Sequence, residues 1–421
     1  MGSAGRTAIV GALAAGMVLG SVVPSTAAGA HEPSAFYPAP GQPAAPMAPD
    51  VGELASITEK SEQDLRVATL HADLVTDGTS PQAAQQLVSS LQTGNHVKAR
   101  VMARTVQMNA PDVLVLTGVT YDDAEQIAEQ LRSLYLAAGQ DGLDGLNYPH
   151  MFTAPTNSGQ QSGADLDGDG MIGGPGDAIG YGDYPGQYGM IVFSKHAIVE
   201  DGVRTFQDFL WRDLPGGSMP TGYSELEESI LRLQEASMWD VPIEVPGESE
   251  HVHVIATALA AEEGAATHTS RAEDIRRVIA DYVSGSAWYL SDDDGVTGGL
   301  GAEDRSVVAG MPMLSAEEEA EGQSPLLDAP VLQDPQPRAV TDEPLTERSG
   351  AAEQTDEHAT RYVPGDRDRR SSLVLPSAGF SVSDSGVFWP GEGEYGHAVV
   401  DPDSSFSLDD RLVWADLTVG D

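Results

Sequence analysis

Asp165, Asp167 and Asp169 alternate with Leu166 and Gly168 and are closed off by Gly170. Three carboxylates at every second position before a turn glycine resemble the first half of a calcium-binding loop, in which hard oxygen donors encircle a hard cation. The position where an EF-hand would place its bidentate glutamate is Gly176, with Asp177 next to it and no helical flank in sight. The expectation is therefore a candidate structural Ca²⁺ in a loop, set against a solvated acidic turn. His251 and His253, two apart on a predicted strand, share one face. That spacing is usable by a metal, but no third ligand can be named, and a half-buried strand face explains the pair equally simply. Asp409 and Asp410 are consecutive. Facing one pocket they would raise each other's pKa, although neighbours on a strand point to opposite faces.

The elements that must position these groups alternate. Arg66–Leu74 and Val113–Leu116 read as buried strands, the second behind a Pro111–Asp112 turn. Ser80–Pro81 opens a helix that ends near Gly94. Val97, Val101 and Met108 form a second helical stripe, and Ile127, Leu131, Leu134 and Tyr135 a third. Met190–Phe193, His251–Thr257, Ser306–Ala309, Ser371–Leu375 and Arg411–Leu417 are the remaining strands, with a helix marked by Ile275, Val278, Ile279 and Tyr282. Such alternation implies a layered α/β domain, expected over 64–421. The acidic, Pro-punctuated stretch at about 317–360 reads as a surface insertion.

Ahead of the domain, Arg6, an apolar core from Ala8 to Val23 and the small-residue run Ala27–Ala30 read as a signal peptide over 1–30. A flexible Pro/Ala-rich segment follows over 31–63. Glycines at 11, 16 and 20 and Pro24 break the apolar run, so it falls short of the ~20-residue span a bilayer asks for. The expectation is a secreted, extracellular protein with no membrane span after cleavage. The chain has no cysteine, which excludes disulfides, thiol nucleophiles and cysteine metal sites. Lys+Arg 22 against Asp+Glu 65 gives a net charge of −43. A surface this acidic repels nucleic acid and anionic lipid, so DNA is a poor partner; the sequence names no partner of its own.

Eight segments, in order, resemble secreted bacterial members of the endonuclease/exonuclease/phosphatase superfamily, the fold of pancreatic deoxyribonuclease. They are PDVLVLTGVTYD from Pro111, APTNSGQQSGADLDGDG from Ala154, PGQYGMIVFSKHAI from Pro185 and RTFQDFLWRDLPGG from Arg204. SMWDVPI from Ser237, DDDGVTGGL from Asp292, VLPSAGFSVSDSGVFWP from Val374 and DDRLVW from Asp409 complete the set. The resemblance implies a four-layer α/β sandwich, two packed β-sheets flanked by helices, with a cleft at one end of the sheets. It also implies metal-assisted phosphoester hydrolysis by a carboxylate-held Mg²⁺, a His–Asp pair and an asparagine–aspartate set.

Position by position, this chain departs from that set. His71 stands where the resemblance implies an asparagine, Gly118 where it implies the metal-holding glutamate, and Ala258 where it implies a histidine. Met311 and Met313 replace an Asp-x-Asn pair, Ser372 an aspartate, and Asp410 the closing histidine. Asp409 alone matches. Loss of one member of a catalytic set often costs ~10⁴ in rate, and the losses do not add once the unit is broken. Methionine and alanine on a cleft floor also disfavour a bare divalent ion, so no catalytic Mg²⁺ is expected. Asn157, Gln187 and Tyr188 lie in well-matched segments and either line the cleft or build its loops. The leading expectation is a pseudoenzyme, a binding or surface protein on a phosphoesterase fold. The alternatives are an active metal-dependent phosphoesterase with relocated ligands, drawing on His71, Asp409 and Asp410, and a calcium-stabilised extracellular module.

Overall fold

The computed structural model describes residues 60–76, 78, 82–259, 266–314, 318, 323–340, 358–361, 369–401, 404 and 407–419. The expected signal peptide, most of the segment that follows it, the Ser80–Pro81 helix start and residues 341–357 lie outside them.

Strand β1 (Asp64–Leu74) is followed by helices α1 (Gln82–Leu91) and α2 (Val97–Asn109). His96 caps α2, its Nδ1 accepting from the N–H of Ala99 at 3.3 Å. Ala110, at φ 44°, ends the helix in the left-handed region just before Pro111. Strand β2 (Val113–Val119) is buried throughout, as its unbroken aliphatic run requires of a central strand. Helix α3 (Gln126–Gln130) runs into a π-helical turn over Leu131–Leu136. Then come β3 (His150–Phe152), β4 (Gly189–Ser194), β5 (Ala197–Ile198) and β6 (Arg204–Thr205). Short helix α4 (Glu225–Glu228) carries a capping box made by Ser224 and Glu227. Strands β7 (Met238–Glu244) and β8 (Val252–Ala258) precede the long helix α5 (Ala266–Val283). Strands β9 (Ser306–Met311), β10 (Arg338–Ala339), β11 (Leu373–Pro376), β12 (Ser381–Val387) and β13 (Val413–Thr418) complete the described chain.

The strands form two mixed sheets. One has seven strands in the order β10-β12-β13-β1-β2-β4-β3; the other has the order β11-β9-β8-β7-β5, with β6 also on β7. β1 lies parallel to β2, and β8 parallel to β9; the other pairs are antiparallel except β10–β12. Alternation along the second sheet sends Ala256, Ala258, Val307, Ala309 and Val374 toward the core shared with the first sheet. Ile255, Val308, Leu373 and Leu375 go to the opposite face, where α5 covers them with Ile275, Val278, Ile279 and Tyr282. Each large aliphatic buried this way contributes about 1.5–3 kcal/mol. The outcome is the expected four-layer α/β sandwich.

Two features differ from the sequence reading. Residues 323–340, expected inside a surface insertion, pack into the domain: Leu326, Ala329 and Leu332 are buried and β10 adds an edge strand. Strand β7 was not legible as one because Asp240 and Pro242 interrupt it. Asp240 is fully buried yet satisfied by His253 Nδ1 at 2.8 Å and by the hydroxyl of Tyr282 at 2.7 Å. Among the described residues, no helix is long and apolar enough to cross a membrane.

Candidate functional site

Strand β1 brings His71 to one end of the first sheet, beside the end of β2. There the ladders on both sides of β2 break: the β1–β2 register shifts between His71 and Leu74, and the β2–β4 register between Thr117 and Val119. Against β1 the extra residue lies on β1, between His71 and Leu74; against β4 it is Gly118, at φ +66°, a left-handed conformation that glycine adopts without a Cβ penalty. A Cβ on Gly118 would lie 2.7 Å from both ring nitrogens of His71 and closer still to its Cε1. The imidazole therefore fills the space into which a residue-118 side chain would project. His71 is buried, its Nδ1 3.1 Å from Thr117 Oγ1. Burial pushes its pKa down, against the pull of Asp410 and Asp73 and with the help of Arg361 and Lys98. His71 and Gly118 thus form one packing unit.

The second sheet meets this end through a chain of contacts. Ala258 on β8 and Met311 on β9 are register partners, and the N–H of Leu259 donates to Met311 O at 3.0 Å. Met313, at φ 44°, donates its N–H to Ser371 O at 3.1 Å. Ser371 Oγ donates to Asp410 Oδ1 at 3.3 Å, and Asp410 lies in the field of His71. Ser372 is buried with its Oγ unpartnered. The sequence-derived positions His71, Gly118, Ala258, Met311, Met313, Ser372 and Asp410 are thus brought together where the two sheets end. Asp409 faces outward: it is exposed, and its carboxyl is pushed up by partial desolvation and then by Asp410. Its neighbour Asp410 is buried and makes the contacts.

This donor set does not fit a family-type catalytic metal. Gly118 has no side chain and no room for one, and methionines stand at 311 and 313. Among the described residues, the one group of three His, Asp or Glu side chains whose ligand atoms all lie within 4.8 Å of one another is Asp165, Asp167 and Asp177, well away in sequence from the cleft positions.

In that loop Asp177, not Asp169, stands third. Asp177 is buried; its Oδ1 accepts from Leu166 N at 2.6 Å and its Oδ2 from Gly173 N at 2.7 Å. Asp165 accepts from Gly168 N and Gly170 N, whereas the Asp169 carboxylate turns to Met171 N at 2.7 Å. Gly176 has its Cβ direction against the Asp167 carboxylate, so a side chain there would displace it.

The expected cleft-lining residues are architectural. Asn157 is fully buried, its Nδ2 donating to Gln207 O and Gln234 O and its Oδ1 accepting from Arg232. Gln187 accepts from Asp183 N through Oε1 at 2.7 Å. Tyr188 stacks on Tyr181 with ring centres 6.5 Å apart. His251 is exposed, and His253 is committed to Asp240. Sequence reasoning missed Arg361, which reaches Asp410 Oδ2 at 3.5 Å from the far side of the acidic stretch, where no motif marks it.

A layered α/β sandwich of two mixed sheets is the class this geometry defines. The sequence profile of the Endonuclease/Exonuclease/phosphatase family matches residues 84–310, more than half of the chain, and the protein belongs to that family. Among solved structures it is similar to an endonuclease/exonuclease/phosphatase from Beutenbergia cavernae DSM 12333, with 21% identity, 85% of this chain and 72% of that one covered, and a TM-score of 0.44. It is also similar to a family protein from Leptotrichia buccalis C-1013-b, at 12% identity, 84% and 99% coverage and a TM-score of 0.41. Sphingomyelinase C from Streptomyces griseocarneus follows at 17% identity, 84% and 99% coverage and a TM-score of 0.40. No curated protein matches the sequence.

Proposed function

We propose that this chain is an exported member of the family that has kept the fold and lost its hydrolytic chemistry, serving as a binding or surface protein. The observation that carries the reading is the pairing of Gly118 with His71: where the resemblance implies a metal-holding side chain there is none, and the buried imidazole occupies its space. Met311, Met313 and Ala258 stand where the resemblance implies polar groups, and Ser372 where it implies an aspartate. Export is supported by the charged-then-apolar start and small-residue run over 1–30. A net charge of −43 argues against a polyanionic partner.

Calcium stabilisation is the second part of the proposal, supported by the approach of Asp165, Asp167 and Asp177. Millimolar extracellular calcium would load a site with Kd on the order of 10⁻⁴–10⁻³ M. Crystals soaked in manganese test both parts through the anomalous signal. A peak at the aspartate loop and none among His71, Asp409 and Asp410 is expected; a peak in the cleft would favour relocated catalytic ligands.

A further inference from the structure

The segment 359–361 enters the cleft end from the acidic stretch and joins the two sheets. Ala359 and Thr360 are buried. Thr360 Oγ1 accepts from the N–H groups of Ser371 and Ser372 at 2.9 and 3.0 Å, on the β11 side. On the β13 side Thr360 O accepts from Arg411 N at 2.7 Å, and Arg361 bridges both Arg369 and Asp410 through its backbone. This fixed backbone delivers the Arg361 side chain to the buried Asp410, Nη1 to Oδ2 3.5 Å. Nη1 is itself buried and makes no hydrogen bond. The guanidinium also acts on its surroundings: it helps to depress His71 and opposes the upward push on Asp409.

We infer that Arg361 is the resident cation at this end of the sheets, carried in on the 359–361 segment and supplying the positive charge that the buried Asp410 would otherwise draw from solution. The inference rests on the pseudoenzyme reading and gives it a cause beyond lost ligands. A buried carboxylate needs a compensating charge. A tethered guanidinium is always protonated and is present at a fixed local concentration. A divalent ion must shed water to compete, and here it would find one buried carboxylate rather than a full oxygen shell. With Arg361 in place this end should be indifferent to metal; without it, the uncompensated Asp410 should respond weakly to a divalent ion.

The test is thermal unfolding of the full chain in a D167N background, which removes the aspartate loop from the reading, with chelator or with millimolar MnCl₂. R361Q should lower the midpoint by roughly 3–6 °C and make it rise with manganese. R361Q/D410N should recover most of the loss and lose the manganese response. R361K, which keeps the charge, should stay close to the parent and indifferent to metal, and it decides the matter if R361Q does not fold. An unchanged midpoint in R361Q, equal manganese responses with and without Arg361, a response that survives D410N, or an R361K that fails like R361Q would overturn the assignment. Any of these would leave the pseudoenzyme reading standing. Chelator-sensitive phosphodiester hydrolysis by the wild-type chain would instead sink that reading and the inference with it.

Discussion

The two ends of β1 carry the same kind of material and use it differently. Near its start, Arg66 holds Asp416 through two hydrogen bonds of 2.7 Å, donates a third to Asn109 O and lies 4.1 Å over the Trp414 ring. Asp112 beside it would be pushed up by burial, but Lys60, the N–H of Arg66 and Lys195 hold it below the usual carboxylate range. Near its other end, His71 sits against a bulged glycine, Asp409 is exposed, Ser372 Oγ is unpartnered and Arg361 meets Asp410 without a hydrogen bond. In the frame, Arg66 and Asp416 are paired bidentately and Asp112 is held by several donors. The groups at the other end are less completely bonded, with Arg361 beside the buried Asp410.

The sharpest way to break this contrast is to cut the frame. Asp416→Ala should cost about 3–5 kcal/mol in urea unfolding, because it strands a buried guanidinium. Asp409→Ala, at the cleft end, should cost little. Comparable losses at both positions would erase the distinction between a bonded frame and a vacated site.

Next in size is Gly118→Ala, expected to cost ~2–4 kcal/mol from its left-handed backbone and the crowding of His71. Trimming the ring in His71→Ala/Gly118→Ala should return the crowding part, and the double-mutant cycle measures it. Additive losses would mean that the two positions are not one packing unit. Gly118→Glu should neither fit nor restore hydrolysis.

Calcium comes third. It should raise the melting temperature, by linkage worth about 1.4 kcal/mol at ten times Kd, and Asp167→Ala should remove most of that increment. A melting temperature indifferent to calcium and chelator would return the loop to a solvated turn.

The smallest expected effect is a pH dependence. Burial alone would lower the His253 pKa, but its hydrogen bond and charge contact with Asp240 raise it. The resulting stabilisation, about 1 kcal/mol, is fully present below the unfolded value of ~6.5 and is lost as pH rises through the raised folded value. His71, pushed down by burial, acts oppositely, losing stability as pH falls below the unfolded value. Stability of His253→Gln should therefore lack the decline of the parent above neutral pH, while keeping the acid-side loss.

What could be read from the sequence follows from what leaves a local trace. β1, β2, β4, β8 and β9 are aliphatic runs, and α2 and α5 have helical stripes, so each was visible. β12 alternates exposed and half-buried polar residues over Ser381–Ser385, and β7 hides a buried aspartate whose partners come from β8 and α5. Neither pattern is readable without the neighbours. Flanking segments single out positions such as 71 and 118, but not their coupling: nothing local says that the ring of His71 occupies the side-chain space of Gly118. Asp177 and Arg361 were missed for the same reason, each reaching its partners across a loop rather than along a motif.

The proposed function rests on a fold retained without its hydrolytic chemistry. The most direct test is a rate measurement on the purified chain with a generic phosphodiester and with DNA, in Mg²⁺ or Mn²⁺, against the same samples in chelator. Hydrolysis no faster than buffer in every case is the result predicted here. Metal-dependent turnover that chelator abolishes, and that Asp409→Ala or His71→Ala diminishes, would contradict it.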